Sequence, residues 1–107
     1  MRSYSQSQAR ASARAIDYAR RRVEDILGCI PKEVVFTACG TESDNLAIRG
    51  AAWAKKEAGQ GNHLITTPIE HHAVDHTIDQ LCDNFGFAQT VVPVDKYGIV
   101  NPADIQL

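Results

Sequence analysis

A chain of 107 residues with 44 % hydrophobic content has room for one small domain and a modest core. Its formal net charge of −2 excludes a global field that would draw nucleic acid or a membrane surface, and no apolar run approaches the length of a membrane span. Cys29, Cys39 and Cys82 are odd in number and lack metal-ligand spacing; with no signal-peptide core after Met1, they predict reduced thiols and a cytoplasmic location.

The polar start, residues 1–8, is expected to be disordered, and the rest of 1–107 to form a single partial domain. From Ala9 a helix is predicted. Ala9, Ala13, Ile16, Val23, Ile26 and Leu27 recur at helical spacing, and Gly28 fits the stop. Six of the eleven basic residues lie in the first 22 positions: Arg2, Arg10, Arg14, Arg20, Arg21 and Arg22. They read as a solvated helix face, with Asp17 and Arg21 as an i,i+4 pair, rather than as a nucleic-acid patch. Pro31 punctuates a loop. Val34 to Thr37 then predicts a first strand, apolar on both faces as in a parallel sheet.

A second helix is expected from Glu42, with Leu46, Ala47, Gly50, Ala51, Ala54 and Ala58 on one side. The Gly59–Asn62 cluster is a turn, and His63 to Thr67 is a second strand that Pro68 breaks. A third helix carries Ala73, Val74, Thr77, Ile78, Leu81, Cys82 and Phe85 in phase and ends near Gly86. Phe87 to Val94 reads as a third strand, residues 95–98 as a turn, and Asn101-Pro102 as a helix start. The order α-β-α-β-α-β predicts an α/β three-layer fragment around a small parallel sheet. Ligands of such sheets sit at the carboxyl ends of the strands. The Cys39–Asn45 and Thr67–His72 loops both lie there and are expected to share one pocket.

Two stretches carry chemistry. Residues 36–45 read as strand, tight turn and helix N-terminus. Gly40 permits unusual backbone angles, and Thr41, Ser43 and Asp44 offer cap oxygens. The free amides of a first helical turn, with the helix dipole, favour an anion, most often a phosphate. The same pattern also suits a plain capped helix after a strand. Among the histidines, His72 and His76 lie opposite the apolar stripe, one turn apart. No third ligand is evident, so they read as surface histidines and no metal site is predicted. His71 falls near the edge of the stripe in the first turn, directed at the ligand end. It is either a titrating group in the pocket or a helix-terminal histidine that satisfies a backbone group. His63 begins a strand and has no special claim.

Three blocks together go beyond composition. Thr37-Ala38-Cys39-Gly40-Thr41-Glu42-Ser43-Asp44-Asn45-Leu46-Ala47-Ile48 resembles the phosphate-loop motif of cysteine desulfurases, pyridoxal-phosphate enzymes of the class V aminotransferase group. Glu70-His71-His72-Ala73-Val74 and Pro93-Val94-Asp95-Lys96-Tyr97-Gly98 resemble two further family blocks, in the family's order and at similar spacing. Cys39 before Gly-Thr-Glu-Ser is similar to the nitrogen-fixation branch, and it does not match the family's sulfur-carrying cysteine.

The resemblance implies a fold-type I large-domain fragment. It gives Gly40 and Thr41 to the cofactor phosphate and His71 to stacking on the pyridoxal ring and proton transfer. It leaves Glu42, Ser43, Asp44 and Asn45 as loop-holding residues. The parent reaction implied is L-cysteine to L-alanine, with sulfur passed on for iron–sulfur cluster assembly. Lys32, Lys55, Lys56 and Lys96 do not match the family's Schiff-base lysine. The chain therefore resembles about a quarter to a third of a family member and is expected to be inactive alone. A fragment of another class V aminotransferase or of a selenocysteine lyase is a further reading, as is a non-catalytic, partner-binding remnant. A homo-oligomer, or a complex with the remainder of a split desulfurase, is the expected assembly.

Overall fold

The computed structural model describes residues 6–106, which fall into two compact units divided after Phe36. In the first, α1 runs Gln6–Leu27 and Gly28 follows it at φ +67°. The expected disorder of residues 1–5 lies outside the described residues, and Gln6–Gln8 already belong to α1. No residue of α1 is buried; its stripe leaves Ile16, Ile26 and Leu27 exposed. Asp17 pairs with Arg20 at 3.2 Å instead of Arg21. Both spacings reach across one helical turn, but the Arg20 guanidinium is also held by the Val34 carbonyl at 3.4 Å and lies over the Phe36 ring at 5.2 Å.

Residues 34–37 form no strand, contrary to the sequence expectation. A strand needs a neighbouring ladder for its amides and carbonyls, and none of the described residues supplies one. Val34 instead donates its amide to Pro31 O, closing a short 3₁₀ turn over Pro31–Glu33, and Val35 and Phe36 stay exposed.

The second unit is a mixed α/β structure. Helix α2 spans Gly40–Glu57, strand β1 His63–Thr66, helix α3 His72–Phe85 and strand β2 Ala88–Val91. The strands pair in parallel, His63 opposite Ala88 through Thr66 opposite Val91. Parallel neighbours need a crossover, and α3 provides it. The sheet thus has two strands rather than the expected three. Pro93 follows β2, and Val94 makes a single antiparallel bridge to Val100. Asn101 caps a 3₁₀ turn over Pro102–Asp104 where a helix start was expected.

Leu81, Phe87 and Ala52 form the centre of the core, with Ile48, Leu64 and Cys82 against it. Gly86 ends α3 at φ +75°, a left-handed cap that only glycine takes without strain, and Phe87 N then donates back to Leu81 O. That reversal turns Phe87 inward to 6 % exposure. No helix among the described residues is long and apolar enough to cross a membrane.

Candidate functional site

Three side-chain links fix how α2 and α3 lie together. Thr77 Oγ1 reaches Asn45 Oδ1 at 2.8 Å, Arg49 donates to Gln80, and Lys56 Nζ donates to Phe85 O. Residue numbers rise together along both helices, so α2 and α3 run in the same direction. Their N-termini therefore lie at one end, the end to which β1 delivers the chain through Thr67–His71. Thr41 lies roughly 6 Å along the axis before Asn45, and His71 roughly 9 Å before Thr77. The parallel packing brings Gly40, Thr41 and His71 to the same end of the unit.

The turn into α2 is held by its own side chains. Cys39 is the N-cap and makes no side-chain cap bond. Glu42 reaches back to the Ala38 amide at 2.9 Å, and the Ser43 and Thr37 hydroxyls share a short hydrogen bond. Thr37 Oγ1 also lies 3.1 Å from Cys39 O, and Asn45 Nδ2 donates to Thr41 O at 2.9 Å. The first intrahelical bond is Ser43 N to Cys39 O. The amides of Gly40, Thr41 and Glu42 thus have no partner among the described residues, as the first turn of any helix dictates. The expected cap oxygens do not take them: Ser43 is used on Thr37, and Thr41 is exposed with its hydroxyl unengaged.

Gly40 is already helical, not at positive φ, and the helix begins there rather than at Glu42. A Cβ added at Gly40 meets nothing within 4 Å, so packing does not demand a glycine there.

His71 is the N-cap of α3, exposed, with backbone φ −64° and ψ 150°. Its Nδ1 accepts from Ala73 N at 3.0 Å, so the neutral ring carries its hydrogen on Nε2. The helix-terminal role weighed from sequence is thus present, and the outer edge of the ring remains free. His72 and His76 are exposed with ring centroids 5.7 Å apart. No group of three metal-ligating residues exists among the described residues.

The shared pocket expected from sequence is not what the loops form. A groove of about 770 Å³ runs along the sheet, bordered by Ile48, Leu64, Ile65, Ile78, Phe87 and Val92. Thr67 and Glu70, bonded to each other at 2.9 Å, reach its edge, but Gly40, Thr41 and His71 do not border it. Burial, then Asp83 and Asp79, pushes the Cys82 thiol up from its ordinary value, so Cys82 stays protonated near neutrality. Lys56 is committed to the Phe85 carbonyl and to the faces of Trp53 and Phe87.

Sequence reasoning left Thr77 as one more core position and Asn45 as a loop holder. A hydroxyl inside an apolar stripe must find a partner, and that signal points from Thr77 to the helix facing it.

A family model, aminotransferase class V, matches residues 1–107. The chain belongs to the class V aminotransferase family. It is 47 % identical over 97 residues to the cysteine desulfurase IscS of Methanosarcina thermophila, covering 91 % of this chain and 23 % of that protein. A putative cysteine desulfurase IscS 1 of Bacillus subtilis is 43 % identical over 97 residues, with 91 % of this chain and 25 % of the relative covered. Among solved structures, a NifS-like protein superposes with TM-score 0.76 at 35 % identity, over 96 % of this chain and 27 % of its own. A structure of SspA in complex with cysteine gives TM-score 0.65 at 40 % identity, over 86 % and 26 %. This class V chain therefore spans about a quarter of the length of the relatives it matches. Its α/β class with a parallel sheet is the one these structures share.

Proposed function

We propose that this chain is the cofactor-phosphate-binding part of a cysteine desulfurase, acting on L-cysteine in the cytoplasm and passing sulfur toward iron–sulfur cluster assembly. One observation carries the reading: three amides without a partner among the described residues, on Gly40, Thr41 and Glu42, open a helix beside an unengaged Thr41 hydroxyl. That donor set suits a phosphate dianion. The relatives' names, and the neighbour in complex with cysteine, support the substrate.

The residues present fit the phosphate end of pyridoxal phosphate. Gly40 and Thr41 hold the phosphate through backbone amide and hydroxyl. His71 covers the ring, with Nδ1 kept on Ala73 and Nε2 facing outward to hold or pass a proton. When bound, the cofactor supplies the electron sink for breaking the carbon–sulfur bond of cysteine. Titration with inorganic phosphate, followed by amide NMR, tests the loop. Gly40 and Thr41 are expected to move, with a dissociation constant of about 1 mM or weaker, since a helix N-terminus contributes only about 1 kcal/mol toward an exposed charge. Shifts elsewhere that spare Gly40 and Thr41 would refute the assignment.

Self-association belongs to the same proposal. Each strand of the two-stranded sheet has an open edge, and Leu46, Ile65 and Val91 are 40–53 % exposed. Sedimentation velocity is expected to show a dimer or larger species that grows with concentration. A monomer at every concentration would remove this part of the proposal.

A further inference from the structure

We infer that Asn45 is a positioning residue that couples the phosphate-binding turn to His71 through Thr77; the inference rests on the reading of Gly40, Thr41 and His71 as cofactor contacts. The coupling is a run of polar contacts that crosses one backbone residue, Ala73. Asn45 Nδ2 donates to Thr41 O at 2.9 Å, and Asn45 Oδ1 faces Thr77 Oγ1 at 2.8 Å. Thr77 Oγ1 also lies 2.7 Å from Ala73 O, and Ala73 N donates to His71 Nδ1 at 3.0 Å. The run begins at the residue carrying the free phosphate-facing hydroxyl and ends on the ring of the stacking histidine.

The chemistry of this position requires a side chain that both donates and accepts. One side chain must donate to a carbonyl on its own helix and accept from a hydroxyl on the other. An aspartate lacks the donor, and a leucine lacks both groups. The orientation of the amide is fixed, because Arg49 Nε also donates to Asn45 Oδ1 at 3.3 Å while Arg49 itself is tied to Gln80. Thr77 is 2 % exposed, so its hydroxyl has no water to fall back on. Its single hydrogen serves either Asn45 Oδ1 or Ala73 O. A change at Thr41 therefore alters what Thr77 offers to the first turn of α3. Binding at the turn and the setting of His71 are linked by this shared hydrogen, not only by the packing of two helices.

The test is a phosphate titration of the isotope-labelled full chain, reading the amides of Gly40, Thr41 and Ala73 and the ring signals of His71. In the native chain all four are expected to move with one midpoint. In Thr77→Val the Gly40 and Thr41 shifts persist while those of Ala73 and His71 are lost, and Thr77→Ser restores them. In Asn45→Ala the Ala73 and His71 responses are lost and the midpoint at Thr41 rises at least threefold. Ala73 and His71 that follow phosphate equally in Asn45→Ala and Thr77→Val, or that stay still in the native chain while Gly40 and Thr41 move, would overturn the coupling. If Gly40 and Thr41 themselves ignore phosphate, the functional reading fails, and amide hydrogen exchange then decides on Asn45. Faster exchange in Asn45→Ala at Ser43 and Ala73, with Leu81 unchanged, sustains the link; unchanged protection at either position refutes it.

Discussion

Truncating Phe87 to alanine is expected to cost about 3–5 kcal/mol of stability. Phe87 is 6 % exposed and meets Trp53 edge-on, with ring centroids 5.9 Å apart and planes at 87°. Its other company is the Lys56 ammonium, 5.0 Å from the ring centroid. The substitution removes the buried ring, one aromatic pair and one cation–π contact together. It also leaves a void beside Leu81 that neighbouring backbone cannot close, because Gly86 and β2 fix the chain on either side. Denaturant unfolding should show the midpoint falling by more than half. Trp53 is the chain's one tryptophan, so its native-state fluorescence should change before any denaturant is added. A loss of under 1 kcal/mol with unchanged fluorescence would mean that the ring is not packed as described.

Leu81 to alanine should cost about 2–5 kcal/mol through a different route. Leu81 is fully buried and touches no aromatic pair of its own; it joins α3 to Ala52 on α2 and to Phe87. A unit of this size has a total stability of roughly 5 kcal/mol, so the variant should keep at most about 3 kcal/mol of it and unfold at a clearly lower urea concentration. At low temperature its native fluorescence should stay close to that of the parent, unlike that of Phe87→Ala. The two variants together separate the loss of core volume from the loss of the ring contacts. Circular dichroism at 222 nm as a function of urea is the measurement, and an unchanged midpoint would displace Leu81 from the centre of the core.

Much of this arrangement was legible in the sequence because it depends on local signals. The α3 stripe, Gly86 at its end and Pro68 before it define a helix whichever neighbours are present, and β1 and β2 lie inside their expected ranges. Val34–Thr37 failed for a reason that local pattern cannot carry. Apolar residues with strand propensity still need a ladder partner, and propensity does not reveal whether one exists. The turn residues were legible as a motif, but their division of labour was not. Nothing in the spacing says that Glu42 reaches back to Ala38, or that Ser43 bonds Thr37 and leaves the α2 amides bare. Asn45 was seen only as part of the motif, since its second partner lies 32 residues away in Thr77. The groove along the sheet involves side chains from α2, β1 and α3 and from the residues flanking β2, and has no sequence signature of its own.

The common direction of α2 and α3 has an electrical consequence. Two helices side by side and parallel place like poles together, so their macrodipoles add instead of cancelling and the pair repels itself. About half an elementary charge from each helix gathers at the Gly40 and His71 end, and the opposite sign at the Glu57 and Phe85 end. The far end is already neutralised: Lys56 reaches from the last turn of α2 to the final carbonyl of α3. The near end carries the carboxylates Glu42 and Asp75 in its first turns, two negative charges against about one positive. An anion seated there therefore meets a field that these two carboxylates have already offset.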